Sequence, residues 1–240
     1  MFKSKTISSG TILYSDLIPE LNHCFTTRAT SINSEDNATT ISEYLGVMRK
    51  NLVHPTQTHS SNVDFAQLGV CDYPDTDALI LNNFEQAVYL RFADCTPVIL
   101  YDKKSNVAAI AHAGWRGTVA NIVPKTVSAM LDYSKSNIDD IYAVIGPAIG
   151  MCCYRVGDEV VNGIKSTVSD YSRLIRTSVD VVYVDLKGAN AQQLAEMGVP
   201  KTNIDICPFC TACRNDLFYS YRKENGTDLR HNAVIKLRDI

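Results

Sequence analysis

The sequence predicts one α/β (α+β) domain, residues 1–240, with mostly antiparallel or mixed sheets. Hydrophobic residues make up 45% of the 240-residue chain, which is enough to fill a core of that size. Strand-like apolar runs follow one another along much of the chain without a helix between them, which disfavours a doubly wound parallel fold. The sequence contains no internal repeat and no Pro- or Gly-rich linker, so we expect a single domain.

The first half of the chain predicts strands separated by turns. Residues 10–29 resemble a strand pair. The Ser-, Thr- and Asn-rich residues 30–43 are typical of a mobile surface loop, which we expect to precede a short helix within 43–52. Further strands are expected within 62–69, 77–82 and 86–94. Residues 97–113 predict a β-hairpin with its turn at Lys103–Asn106.

The second half contains the helical patterns. Apolar residues from Val119 to Leu131 recur at helical spacing and predict a helix over 117–134, with Pro124 in its first turn or at a kink. Strands are expected within 141–150, 181–186 and 203–209, and helices over 157–171 and 187–198. Residues 215–226 predict a strand leading to a turn, and residues 231–239 close the chain.

Composition excludes several functional classes. The net charge of −3 provides no basic surface for nucleic acid, and no apolar run is long enough to span a membrane. The N-terminus has no continuous apolar segment of the kind found in export signals, which predicts a cytoplasmic protein. In that setting we interpret the eight cysteines as thiols or metal ligands rather than as a disulfide framework.

Three residues beside predicted strands are candidate metal ligands: His59 in "QTHSSNV", Cys95 in "ADCTPV" and His112 in "AHAGWRG". Two imidazoles and a thiolate form an incomplete coordination shell, which leaves one position for water or substrate, as in catalytic zinc sites. The alternative is a buried, hydrogen-bonded histidine beside an inert buried cysteine. Cys95 and His112 also suit a metal-free cysteine hydrolase, with Cys95 attacking an amide and His112 as base.

Five ordered strings together resemble the laccase-domain family, also called the polyphenol oxidoreductase family, which includes zinc-dependent purine nucleoside phosphorylase/adenosine deaminase proteins. The strings are "QTHSSNV", "ADCTPVILYD", "AIAHAGWRGTVANIV", "IGPAIGMCCYRVGDEV" and "CTACRNDLFYSYRKENGTDLR". The resemblance implies a four-layer α/β/β/α sandwich and a Zn²⁺ held by His59, Cys95 and His112. It also implies phosphorolysis of adenosine, inosine, guanosine and methylthioadenosine, together with deamination of adenosine.

These reactions need groups that move protons and bind phosphate. Asp94 precedes Cys95 and is a candidate acid/base or orienting residue, with Asp77 as a second carboxylate. Arginine forks match the geometry of phosphate, so Arg28, Arg116 and Arg222 are candidate phosphate-binding residues, with Arg230 a weaker one. Each of these arginines would alternatively be a solvated ion-pair residue. Trp115 is either a wall beside the purine base or part of the core.

The chain departs from the family pattern in three places. Arg155 in "CCYRVG" occupies a position where a glutamate is expected, "TDLR" is one residue longer than the expected "TGR", and the loop after "FTTR" lacks a Gly-Gly-Val-Ser stretch. These departures concern the pocket and its substrate preference.

The family name also suggests a copper oxidase. Five histidines and no His-x-His pair are too few for a multicopper centre, so Cu²⁺ is expected only as an adventitious substitute for Zn²⁺. Further alternatives are an amidase that edits a peptidoglycan precursor and a purine-binding module without activity.

Cys207, Cys210 and Cys213 are spaced like the start of a ferredoxin run but lack the fourth cysteine, so free thiols are expected there. Of the adjacent Cys152 and Cys153, a turn would expose one as a nucleophile.

Overall fold

A computed structural model describes residues 1–239. The strands, numbered in chain order, are β1 (Phe2–Ile7), β2 (Gly10–Ser15), β3 (Asn22–Thr26), β4 (Leu52–Val53), β5 (Val63–Phe65), β6 (Ala78–Leu81), β7 (Ala87–Phe92), β8 (Thr96–Asp102), β9 (Val107–Ala113), β10 (Ile141–Ile145), β11 (Arg155–Val156), β12 (Ile175–Ser178), β13 (Val181–Val184), β14 (Ile204–Ile206) and β15 (His231–Lys236). The α-helices are α1 (Glu35–Leu45), α2 (Trp115–Val119), α3 (Ile122–Ser134), α4 (Asp158–Lys165) and α5 (Leu186–Glu196).

Two six-stranded mixed sheets form the centre of the fold. Their strand orders are β1-β2-β3-β15-β7-β4 and β14-β10-β8-β9-β6-β5, and a small third sheet has the order β11-β13-β12. The pairs β4–β7, β5–β6 and β10–β14 are parallel, and the other pairs are antiparallel. The predicted α+β fold with mixed sheets is therefore confirmed.

Successive side chains along a strand point to opposite faces of its sheet, and each face packs against a different layer of the fold. In β6, Leu79 and Leu81 face the core between the two large sheets, whereas Ala78 and Ile80 face the opposite side. Helices α3 and α5 cover that opposite side of the second sheet, and α1 covers the outer side of the first sheet. The order of layers is helix, sheet, sheet, helix, as the family resemblance implies.

The predicted loop at 30–43 is wrong, because helix α1 begins at Glu35. The Ser34 side chain accepts a hydrogen bond from the Asn37 N–H at the start of the helix, and Gly46 ends the helix in the left-handed conformation. Ala38, Ile41 and Leu45 form its buried stripe. The helix predicted within 43–52 is wrong for the same reason: α1 ends at Leu45, and only a short 3₁₀ helix, Arg49–Asn51, follows.

Two other predictions need correction. The single helix predicted over 117–134 is divided into α2 and α3 at Asn121, which has a left-handed φ of 59°. Pro124 lies in the first turn of α3, as predicted. Residues 215–226 form turns, not a strand, because their backbone groups bond locally, as in Phe218 N–H to Arg214 O and Gly226 N–H to Tyr221 O.

Among residues 1–239, no helix combines the length and apolar character needed to cross a membrane.

Candidate metal centre and cavity

Strand pairing brings two of the three candidate ligands together. Cys95 immediately precedes β8, and His112 is the penultimate residue of β9. The two strands are antiparallel neighbours in which Pro97 pairs with His112, so the start of one strand meets the end of the other. His59 comes from the loop between β4 and β5 and has a left-handed φ of 63°.

The ligand atoms of His59, Cys95 and His112 all lie within 4.8 Å of one another. His59 Nε2 is 3.8 Å from Cys95 Sγ, and the two imidazole ring centroids are 4.8 Å apart. Gly114 leaves room for this approach, because a Cβ there would lie 3.0 Å from Cys95 Sγ and 3.2 Å from His59 Cδ2. The three residues therefore have the spacing that one shared ion requires.

Asp77 fixes the positions of both histidines. Its carboxylate lies 2.7 Å from His112 Nδ1, and it accepts hydrogen bonds from the backbone N–H groups of Thr58, His59 and Ser60 at 3.1, 3.1 and 2.7 Å. Burial by itself would raise the pKa of Asp77, but the bonds from His112 and Ser60 hold it well below its usual range. A fixed negative charge thus holds one ligand directly and the loop of another through its backbone.

Electrostatics favour a charged pair at Cys95 and His112. Burial opposes ionisation of Cys95, yet the positive His112 and hydrogen bonds from both imidazoles lower the thiol pKa to about 6. Burial likewise opposes a charge on His112, yet Cys95 and Asp77 raise its pKa to about 9. To bind a metal ion, a cysteine must be a thiolate and a histidine must be a neutral imidazole. The thiolate is already favoured here, and a metal ion would displace the imidazole proton.

The donor set fits a zinc ion of the catalytic type. Asp77 occupies His112 Nδ1, so the other ring nitrogen, Nε2, remains for a metal, which is the usual carboxylate–histidine–metal arrangement. Three protein ligands leave a fourth position, and His59 and Cys95 both line a cavity.

The cavity beside these ligands has a volume of about 810 Å³, within the range of small-molecule sites. In addition to His59, Cys95 and His112, its lining includes His54, Arg91, Asp94, Ile149, Tyr154, Tyr221, Arg222, Asp228 and Arg230. Positive and aromatic side chains therefore share this cavity with the candidate ligands.

Asp94 lies in the cavity wall, but both its carboxylate oxygens are engaged. Oδ1 accepts a hydrogen bond from Thr211 Oγ1 at 2.6 Å, and Oδ2 accepts one from the Arg222 backbone N–H at 2.7 Å. The residue also has a left-handed φ of 84°. These contacts tie three chain segments together beside Cys95.

Of the four arginines predicted to bind phosphate, only two line the cavity. Arg222 and Arg230 line the cavity. Arg28 is outside the lining: its guanidinium forms an ion pair with Glu224 at 3.1 Å and stacks on the Tyr219 ring. Arg116 is exposed on α2 and outside the lining as well, where it stacks on its neighbour Trp115 at 4.4 Å. Trp115 packs against the core cluster around α4 and also lines a smaller second cavity.

Sequence reasoning missed Arg91 and Tyr154. Arg91 is the one exposed residue of β7, and within residues 1–239 its guanidinium makes no hydrogen bond that the structure records. A charged residue inside an apolar strand four positions before Cys95 is a signal that would have identified it. Tyr154 directly follows Cys153, and no sequence pattern around it indicates a functional site.

Comparisons with known proteins place these features in context. The family model described as "Multi-copper polyphenol oxidoreductase laccase" matches residues 8–238. A protein named purine nucleoside phosphorylase YlmD from Geobacillus stearothermophilus is 37% identical over 184 residues, covering 76% of this chain and 67% of the relative. One named adenosine deaminase RL5, from an unknown prokaryotic organism, is 33% identical over 199 residues, 78% of this chain and 76% of the relative.

Solved structures agree with the observed fold. The crystal structure of YlmD from Geobacillus stearothermophilus superposes with a TM-score of 0.87 at 28% identity, covering 95% of this chain and 96% of that one. A Bacillus licheniformis hypothetical protein, YfiH, gives a TM-score of 0.88 at 28% identity with the same coverage.

Proposed function

This chain belongs to the multi-copper polyphenol oxidoreductase laccase family, and from that premise we propose that it is a zinc-dependent purine nucleoside phosphorylase with adenosine deaminase activity. The proposed substrates are adenosine, inosine, guanosine and methylthioadenosine, together with phosphate. One observation carries the proposal: His59, Cys95 and His112 converge at a cavity that arginines also line. Relatives named for each activity support the two reaction types.

The metal is assigned to His59, Cys95 and His112. When bound there, Zn²⁺ supplies a Lewis acid with an open coordination position. Asp77 fixes the tautomer and orientation of His112, and its bonds to the loop of His59 hold that ligand in place. Cu²⁺ binds such donors tightly and would be an adventitious substitute. A multicopper oxidase is disfavoured, because the two groups of potential ligands among residues 1–239 contain only two histidines.

Arg91 and Arg222 are the proposed phosphate-binding residues. The guanidinium of Arg91 has no recorded hydrogen-bond partner among the described residues, and Arg222 uses one nitrogen on the Arg155 carbonyl and keeps further donors. Together they would hold phosphate against C1′ of the nucleoside while the glycosidic bond breaks. Arg28 and Arg116 lie outside the cavity lining, so we propose Arg91 and Arg222 in their place.

Tyr154 and Asp94 shape the remaining wall. Burial raises the pKa of Tyr154 to about 12, so its hydroxyl stays protonated and is available to a purine nitrogen or a ribose oxygen. Asp94 acts as a positioning residue, since both its oxygens already hold Thr211 and the backbone of Arg222. We therefore assign proton transfer during deamination to another group or to water.

The test is chromatography of products from adenosine, inosine and methylthioadenosine, each with and without phosphate. Wild-type protein is compared with Cys95→Ala and His112→Ala, and Cys71→Ala is the matched control because Cys71 is exposed and outside the cavity. We expect phosphate-dependent release of free base and some inosine from adenosine. Both activities should be lost in the two site variants and retained in the control.

Unchanged activity in either site variant would remove the metal from the mechanism. If zinc-loaded wild-type protein left every nucleoside unchanged with and without phosphate, the enzyme assignment would fail and a purine-binding module would be favoured.

A second candidate is a cysteine hydrolase, because Cys95, His112 and Asp77 form a thiol–imidazole–carboxylate series. The lowered pKa of Cys95 and the raised pKa of His112 are what such an enzyme needs. The cysteine-hydrolase assignment predicts that metal-free protein cleaves short muropeptide-like or acyl-amino-acid substrates. It also predicts that thiol alkylation inactivates the protein whether or not zinc is present, whereas bound zinc should protect Cys95 in the metal-dependent enzyme.

A further inference from the structure

Four thiols outside the catalytic cavity lie close together. Cys152 and Cys153 belong to the turn after β10, and Cys210 and Cys213 belong to the turn after β14. Their Sγ atoms all lie within 4.8 Å of one another. The sequence predicted free thiols here, because only three cysteines were close along the chain. The fold brings in the adjacent pair from about 60 residues earlier.

We propose that Cys152, Cys153, Cys210 and Cys213 hold one Zn²⁺ in a closed tetrathiolate site. A Zn–S bond of about 2.3 Å in a tetrahedron separates the sulfurs by about 3.8 Å. Cys213 Sγ is 3.5 Å from Cys152 Sγ and 3.4 Å from Cys153 Sγ. The four sulfurs therefore already stand near the corners that a single ion would need. The existence of this site does not rest on the proposed nucleoside chemistry.

The backbone supports the cluster. Gly150 N–H donates to Cys210 Sγ at 3.2 Å, a bond that compensates negative charge on a thiolate. A side chain at Gly150 would crowd the sulfurs, since its Cβ would lie 3.3 Å from Cys152 Sγ and 3.6 Å from Cys210 Sγ. The two turns are joined directly, because Ala148 bridges to Cys210 and its carbonyl accepts from Thr211 N–H at 3.1 Å. The turn that carries Cys210 is thus paired with the segment that leads to Cys152 and Cys153.

The arrangement favours a single ion over the other forms of a cysteine cluster. Cys213 is almost equally distant from Cys152 and Cys153, so the geometry does not select one disulfide partner for it. An iron–sulfur cubane places several iron and sulfide atoms between its cysteines and needs wider separation than a mononuclear site. Four thiolates without a water ligand are the usual donor set of a structural zinc site.

The proposed ion would fasten one wall of the catalytic cavity. Thr211 lies between two of the ligands and donates to Asp94 Oδ1, the residue before Cys95. Tyr154, directly after Cys153, lines the cavity. Loss of the ion would loosen both segments, so its role is structural, with a secondary effect on activity.

The experiment counts metal in full-length protein purified under reducing conditions and reloaded with Zn²⁺. Wild type should bind two ions per chain. Cys210→Ser and Cys152→Ser should bind one and should melt at lower temperature, and Cys95→Ser should also bind one. Cys71→Ser, an exposed cysteine outside both groups, should still bind two.

Cobalt substitution separates the two sites. Co²⁺ in a tetrathiolate gives intense visible and charge-transfer absorption that differs from that of a two-histidine, one-thiolate site. We expect the tetrathiolate spectrum in Cys95→Ser and its loss in Cys152→Ser, whose side chain is exposed. If Cys95→Ser bound no metal, or if Cys152→Ser kept that spectrum, the tetrathiolate site would be refuted. The nucleoside assays would remain valid in either case.

Discussion

At the scale of single residues, Asp77 has the widest influence on the candidate metal centre. It is fully buried, and it bonds the ring of His112 and the backbone of three consecutive residues around His59. A carboxylate in that position makes His112 a better ligand and fixes the loop that carries the other imidazole. The geometry of the candidate site is therefore tied to a residue that is not one of the three candidate ligands.

Asp77→Asn should keep the shape of this contact and remove its charge. We expect metal affinity at His59, Cys95 and His112 to fall by about 10- to 100-fold, as is typical when a hydrogen-bonded partner of a ligand is lost. Competition with a chromophoric chelator measures the affinity. Asp75→Asn is the control, because Asp75 is an exposed neighbour that bonds Thr58 and Asn62 instead. Equal affinity in the two variants would contradict the role given to Asp77.

Gly114 controls the space beside the ligands. Its φ of −63° suits any residue, so Gly114→Ala introduces no backbone strain, but the new Cβ meets Cys95 Sγ and His59 Cδ2. Displacing a ligand by a fraction of an ångström to 1 Å should lower kcat/KM by on the order of 100-fold. Gly157→Ala is the matched control, because Gly157 also precedes a helix and a Cβ there would have no atom within 4 Å. Steady-state kinetics of both variants would decide, and equal kcat/KM values would disprove the steric role.

At the scale of elements, helix α1 shows how end signals compete with composition. Residues 30–43 are rich in Ser, Thr and Asn, and on that basis they resemble a loop. Ser34 and Gly46 nevertheless satisfy the backbone groups at the two ends of the helix, and its apolar stripe covers the outer side of the first sheet. The helix is stabilised by its ends and by packing, not by the intrinsic propensity of its residues.

Ser34→Ala should therefore destabilise the protein by about 1 kcal/mol, because the Asn37 N–H loses its partner. Ser34→Asn, which retains a capping oxygen, should stay within a few tenths of a kcal/mol of wild type. Urea denaturation measures both values. Activity should not change, since Ser34 is outside the cavity lining. If the two substitutions destabilised equally, the capping bond would not be the cause.

At the scale of the whole molecule, the sandwich buries polar groups as well as apolar ones. His23 is 5% exposed, donates from Nδ1 to the Leu21 carbonyl at 2.9 Å and accepts from Ser15 N–H at Nε2. If Nε2 were protonated, its N–H would face the Ser15 N–H, and the hydrogen bond between them would be lost. Burial lowers the pKa of His23 to about 4, and burial also lowers that of His231, between Phe92 and Phe218, to about 4.

Acid should therefore unfold the protein through these histidines. In the unfolded chain a histidine has a pKa of about 6.5, so between about pH 6.5 and pH 4 the unfolded state binds more protons and stability falls as pH falls. Each histidine contributes on the order of 3 kcal/mol to this loss. Urea unfolding across that range measures it, and His231→Leu should have a shallower pH dependence than wild type. The same slope in both proteins would exclude His231 as a source.

The linear order of residues was sufficient to determine the fold class, most strands, the β8–β9 hairpin and the family, because these depend on local periodicity and on ordered motifs. It was also sufficient to nominate His59, Cys95 and His112, since donor chemistry depends on residue type. It misjudged α1 and residues 215–226, where capping and local backbone bonds outweigh composition.

Only the tertiary structure decided which side chains share a space. It placed Arg91 and Tyr154 in the cavity, left Arg28 and Arg116 outside its lining, and brought four distant thiols together. The physical reason is that proximity between residues far apart in the chain is set by strand register and by the packing of turns, and neither leaves a periodic trace in the sequence.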